Sequence, residues 1–139
     1  MKKLALLIAL LTMLTLMPAG CGRTGGVPDP DKIVPARETL IENLKSKGYA
    51  IEELESVEGS ELTVDRVLAK KGNDFIDIVY GLSSEEAQAV YELFEKAYPD
   101  NYYVLARNGN YVYCVSDRAT FKRAGFRSTE NIGVQHING

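Results

Sequence analysis

Tryptophan is absent from this 139-residue chain, histidine occurs once and cysteine twice, and the three methionines, Met1, Met13 and Met17, all lie near the N-terminus. Each scarcity excludes some chemistry. A Ser-His-Asp or Cys-His arrangement needs a histidine held against its nucleophile, and His136 stands in a polar stretch close to the C-terminus. Transition-metal sites want several histidine or cysteine ligands, which this chain cannot supply. The glycine patterns that cradle phosphates and the calcium-loop pattern do not occur. No cofactor or metal is therefore expected. Bases do not predominate either: 16 lysines and arginines face 19 aspartates and glutamates, a formal charge of -3, so nucleic acid is not an expected partner.

What is present is unevenly placed. Lys2 and Lys3 precede an apolar run from Leu4 to Met17, and no acid occurs in residues 1–20. This is the charge and hydropathy order of a secretory signal peptide. As a helix the run would span only about 21 Å, against a hydrocarbon core of about 30 Å, which makes a permanent transmembrane anchor the weaker reading. Without residues 1–20 the remaining 119 residues carry 14 bases against 19 acids, a formal -5. A chain of that size can bury a sufficient core without disulfide or metal.

Directly after the run stand Pro18, Ala19, Gly20, Cys21 and Gly22. Small residues ending in a cysteine at the close of the apolar segment resemble the lipobox of bacterial lipoproteins. Ala19, Gly20 and Cys21 match that pattern, while Pro18 stands where the family usually carries an aliphatic residue. The resemblance covers residues 1–21 only. It implies cleavage before Cys21, lipid attachment to the Cys21 sulfur, and export to the outer side of a bacterial membrane. Acylation of Cys21 would leave Cys114 without an intramolecular partner. Cys114 lies in the apolar run Tyr111-Val112-Tyr113-Cys114-Val115 and is expected to be a small buried core residue rather than a reactive thiol.

Residues 21–34, rich in glycine and proline, read as the lipidated cysteine and a flexible tether, 35–127 as one domain, and 128–139 as a loose tail. Within the domain, Pro35, the apolar spacing of Ala36, Leu40, Ile41 and Leu44, and Gly48 predict a helix over 35–47. Ser83 and Glu86 fit a capping box that opens a second helix, with Ala87, Val90, Tyr91, Phe94, Ala97 and Tyr98 as its apolar stripe. A short third helix covers about 117–124. Runs rich in Val, Ile, Tyr and Phe predict five strands near 49–56, 62–70, 75–81, 102–107 and 110–116. The result is an α+β domain, α-β-β-β-α-β-β-α, with two main helices on one face of an antiparallel sheet.

Asn108-Gly109 is a strong turn signal, and counting outward from it pairs Ala106 with Tyr111 and Leu105 with Val112. Val67-Leu68-Ala69-Lys70-Lys71-Gly72-Asn73 and Val104-Leu105-Ala106-Arg107-Asn108-Gly109-Asn110 share one pattern, the echo of a degenerate helix-plus-hairpin duplication. In the first copy Asp74 forms a bulge, or a turn on Gly72-Asn73 pairs Ala69 with Ile76; Ile76 and Ile78 are core in both cases.

Two surfaces are candidate sites. Tyr102, Tyr111 and Tyr113 should share the strand face opposite Leu105, Val112 and Cys114, a possible aromatic platform for a glycan or an envelope protein. Arg118, Lys122, Arg123 and Arg127 form a basic stretch without an acid, suited to an anionic surface, whereas residues 52–61 hold five glutamates and no base. The expected role is a non-catalytic binding or accessory domain, held to the membrane by its lipid. The rival readings are a small envelope hydrolase with two carboxylates about 5–10 Å apart, and an inhibitor or self-associating component with a large exposed apolar patch.

Overall fold

The computed structural model describes residues 33–100 and 102–127, and the backbone of residues 134–137. The leader, Cys21 and the first part of the tether lie outside the described residues. In chain order the elements are α1 (Arg37–Lys45), β1 (Ala50–Leu54), β2 (Asp65–Lys71), β3 (Asp74–Tyr80), α2 (Ser84–Ala97), β4 (Val104–Asn108), β5 (Tyr111–Val115), α3 (Arg118–Ala124) and β6 (Val134–Ile137). The fold is α+β, and every strand pairing is antiparallel, in the order β1-β2-β3-β5-β4-β6. Five strands are those expected. The sixth, β6, pairs with β4 inside the stretch expected to be a loose tail; with only four residues, it was too short to display a strand period.

Local signals explain most boundaries. Ser83 accepts from the Glu86 backbone while the Glu86 carboxylate accepts from the Ser83 backbone, the capping box that starts α2. Asp117 accepts from the Thr120 backbone at the start of α3, and Gly125, at φ 104°, ends that helix in a conformation side chains rarely adopt.

Both hairpins turn on a Gly-Asn pair, Gly72-Asn73 and Gly109-Asn110, with positive φ at the glycine. In the first, Ala69 pairs with Ile76 and Val67 with Ile78, without a bulge. In the second, Ala106 pairs with Tyr113 and Leu105 with Cys114, two residues away from the expected register. The turn uses Gly109 at its first central position rather than its second, and because the slip is even every side chain keeps its face.

The helices lie on both faces, which corrects the expected one-sided arrangement. Leu40 and Leu44 of α1 and Phe121 and Ala124 of α3 pack with Val67, Ala69, Ile76, Ile78, Ala106 and Tyr113. Ala87, Val90, Tyr91 and Phe94 of α2 pack with the alternate residues Val79, Leu105, Val112 and Cys114. The sheet is thus the middle of three layers, buried on both sides. The domain also begins earlier than expected, since Ile33 and Val34 are buried in the α1 layer and the Ile33 carbonyl accepts from the Arg127 backbone at 3.2 Å.

An offset of 37 residues carries the β2–β3 hairpin onto the β4–β5 hairpin, and the β3–β5 pairing maps onto itself under that offset, centred on Asp77 opposite Cys114. The hairpins are therefore related by a local two-fold perpendicular to the sheet. Such an axis keeps faces, yet α1 and α2 lie on opposite faces. The repetition belongs to the hairpins and does not extend to the helices.

Candidate functional site

The tyrosine platform does not form. Tyr113 is wholly buried in the α1/α3 layer, its ring 4.7 Å from that of Phe126, which stacks in turn on Phe121. Tyr111, on the same face, is half-buried with its ring edge-on to Tyr80. Tyr102 is buried in the other layer, with α2. Alternation along β5 is as expected, with Val112 and Cys114 toward α2, but α3 and Phe126 cover the face left open in the sequence reading. Cys114 is fully buried, and burial together with the Asp77 carboxylate pushes its thiol far above the ordinary range. That is the environment of an inert structural thiol.

The most polar part of the interior lies beneath α2. Arg66 on β2 and Asp77 on β3 are diagonal neighbours on one sheet face, because Arg66 pairs with Val79 and Leu68 with Asp77. The guanidinium donates twice to the carboxylate, Nε to Oδ1 at 2.8 Å and Nη2 to Oδ2 at 2.7 Å, and the Tyr98 hydroxyl adds a third donor to Oδ2 at 2.7 Å. Arg66 Nη1 donates to the Ser56 carbonyl at 2.9 Å and lies 3.4 Å from Glu58, while the Phe94 ring sits 5.8 Å from the guanidinium carbon. Asp77 has no exposed surface. Hydrogen bonding to Asp77 raises the Arg66 pKa further, so the guanidinium stays charged, and burial beside the Asp77 charge pushes the Tyr98 phenol up. Every strong donor here is spent within the cluster, which suits a structural clasp between sheet, α2 and the 55–64 loop. The sequence signal was an aspartate among isoleucines, Ile76-Asp77-Ile78, with Arg66 at the matching parity of the preceding strand.

On the outer edge an open groove of about 650 Å³ is lined by Arg37, Glu53, Leu54, Glu55, Val64 and Asp65. Arg37 Nε donates to Asp65 at 2.8 Å and Nη2 donates to Glu53. The guanidinium thus fills the space between two carboxylates, where a hydrolase would need its scissile bond and water.

The four basic residues named from the sequence are exposed, but they divide between two directions. Arg118 lies over the Tyr103 ring at 5.7 Å. Arg123 points the other way and donates to the Tyr49 hydroxyl at 3.1 Å, which raises its pKa. Tyr49 also exchanges a hydrogen bond with Thr120 at 2.9 Å and carries Lys71 Nζ 5.7 Å from its ring centre. Lys71 Nζ donates to the Lys47 carbonyl at 2.7 Å. Lys71 and Arg123, from separate segments, therefore meet around one tyrosine, with the Lys47 backbone beside Lys71. Lys47 and Lys71 were missed because only tertiary structure brings the end of α1 and the β2–β3 turn up to α3. Arg127, beyond the α3 cap, stands where the chain enters the domain.

Among the described residues no helix is long and apolar enough to cross a membrane, and no group of three His, Cys, Asp or Glu could hold a metal ion. Set against family models, curated proteins and solved structures, the chain finds no match.

Proposed function

We propose that this chain is an exported bacterial lipoprotein, acylated on Cys21, that presents a small non-catalytic binding domain at the outer side of a membrane. The observation that carries the reading is the order of the N-terminal segment: Lys2 and Lys3, the apolar run to Met17, then Ala19-Gly20-Cys21. Ile33 is the first of the described residues and is already buried in the domain. The eleven residues from 22 to 32 can reach no further than about 40 Å, so the domain is held within one protein diameter of the bilayer. Two clusters of polar groups support binding rather than catalysis, because Arg66 with Asp77 and Tyr98 in the interior, and Arg37 with Glu53 and Asp65 on the outer edge, are engaged with one another. What remains open to a partner is the exposed basic surface around Tyr49.

Mass spectrometry of the protein extracted from membranes tests this reading: the mature chain should start at Cys21 and carry lipid on its sulfur. Cys21→Ala should abolish the modification. A free Cys21 thiol in the membrane-extracted protein would overturn the proposal.

A further inference from the structure

We infer that the cations gathered around Tyr49 form a docking face for anionic phospholipid head groups of the same bilayer that holds the lipid anchor. The inference rests on the proposed lipoprotein reading for its location, and on the geometry of the domain for its chemistry. Lys47, Lys71 and Arg123 are exposed: Lys71 Nζ donates to the Lys47 carbonyl and lies over the Tyr49 ring, whose hydroxyl accepts from Arg123. Among the described residues none of the three has a carboxylate within 4 Å; the ion pairs there belong to Arg37 and Arg66. Two acids stand at this end as well: Asp74, the cross-strand partner of Lys71, and Asp117 both act on Arg123, and Asp117 is itself engaged by Ser116 and Thr120.

The domain is acidic overall, so the decisive question is where its acids lie. Ala50 at the start of β1 pairs with Lys70, whereas Leu54 at its end pairs with Arg66 and is followed by Glu55, Glu58, Glu61 and Asp65. The basic and acidic ends are thus a strand length apart, about 14 Å at 3.4 Å per residue. The Debye length at physiological ionic strength is about 8 Å. At the basic end the acids of the far end are largely screened, and a negative surface meets the local charge, three cations against Asp74 and Asp117, rather than the net one. Orientation follows from the same fold: α3 carries Arg123 and ends at Gly125, beside Pro35, and Arg127 contacts Ile33, where the tether enters. The tether therefore delivers the domain to the bilayer from the end of the helix that carries part of the basic face. Lipid head groups are favoured over a deep-pocket ligand because the cations are spread over an open surface, which suits a planar array of phosphates.

The test is amine footprinting of the full chain on vesicles, with a water-soluble acylating reagent and mass spectrometric readout. Lys47 and Lys71 are the reporters, and Lys96, exposed on α2 across the sheet, is the internal control. On vesicles of phosphatidylcholine with one third phosphatidylglycerol, Lys47 and Lys71 should react at least about threefold more slowly than on pure phosphatidylcholine, with Lys96 unchanged, and high salt should remove the difference. Arg123→Gln should reduce the protection of both lysines. Equal rates on the two vesicle types would overturn the inference. Equal protection by soluble polyphosphate on neutral vesicles would reassign the face to a soluble polyanion and overturn the membrane assignment. The mass of the Cys21 peptide from the same sample reports acylation separately, and excess vesicles read docking even for an unacylated chain, so failure of the anchor and failure of the docking face are distinguishable.

Discussion

Replacing Asp77 by alanine removes the acceptor of three hydrogen bonds at 2.7–2.8 Å and leaves Arg66, whose side chain is 7 % exposed, with only the Ser56 carbonyl and the distant, solvated Glu58. A buried guanidinium stripped of its counter-ion costs about 3–5 kcal/mol. Domains of this size are stable by about 5–15 kcal/mol, so the variant should lose about a fifth or more of its stability and melt roughly 12–40 °C lower, at about 4–8 °C per kcal/mol. Arg66→Met should cost a similar amount, because the fully enclosed Asp77 then keeps only Tyr98. Tyr98→Phe removes one hydrogen bond to a charged group and should cost about 1.5–3 kcal/mol.

The pair itself behaves differently from its parts. Replacing both at once, Arg66→Met with Asp77→Leu, leaves no buried charge in a layer already lined by Phe94, Val79 and Leu105, and should be neutral or stabilising by about 1–4 kcal/mol. Urea unfolding of the parent, Arg66→Met, Asp77→Leu and the double variant, followed by circular dichroism, completes the cycle. The reasoning requires strong coupling, with the double variant far more stable than the summed single losses would allow. Additive losses, or single variants within about 1 kcal/mol of the parent, would refute it.

Cys114 should react with thiol reagents at least about a thousandfold more slowly in the native domain than in denaturant, since exposure requires opening of the α2 layer; rapid native labelling would contradict its burial. Stability should fall at alkaline pH, because Cys114, Tyr80, Tyr98 and Tyr113 are held protonated in the folded state above their unfolded values, so their contributions are intact below the unfolded pKa and lost above it. The decline should begin near pH 8.5 through Cys114 and steepen near pH 10 through the tyrosines, at about 1.4 kcal/mol per pH unit for each titrating group; in Cys114→Ala it should begin only near pH 10, and an unshifted onset in urea titrations would exclude the thiol as its source. Tyr113→Thr should cost about 3–5 kcal/mol as a core truncation, and Tyr111→Thr, half-buried, about 1 kcal/mol; equal thermal shifts for the two would contradict the covered sheet face.

The elements that could be located in the sequence were those whose signal is local. The capping box at Ser83 and Glu86 and the aspartate and glycine that bracket α3 each state their geometry within a few residues, whereas Asn108-Gly109-Asn110 announced a turn without fixing which pair forms its centre. Which face a helix covers is not a local property. The period of α2 fixes the stripe it buries, but the sheet offers apolar residues on both sides: β3 is buried from Ile76 through Tyr80. That unbroken burial is the mark of a sheet covered on both faces. The aspartate inside the run disguised it, since a polar residue there reads as an outward position when its partner two strand positions away is not known. The basic face was half legible for the same reason: Arg123 is visible in a charge run, but its union with Lys47 and Lys71 depends on Tyr49 meeting α3.

Asp77 and Cys114 occupy equivalent positions of the two hairpins, opposite each other on the local two-fold. Symmetry would place like residues there, and two aspartates at that distance beneath α2 would set one buried charge against another. One position instead carries the carboxylate that Arg66 neutralises, and the other a small neutral thiol that fits against it. The position equivalent to Arg66 is Tyr103, whose ring is edge-on to Phe121 and beneath the Arg118 guanidinium rather than in an ion pair. A single clasp under a single helix is what the asymmetric arrangement of α1 and α2 permits: the first hairpin supplies both of its charges, and α2 closes over them with Phe94 and Tyr98. The two hairpins share their turns and their register, and they diverge where one face of the sheet had to accept a different cover.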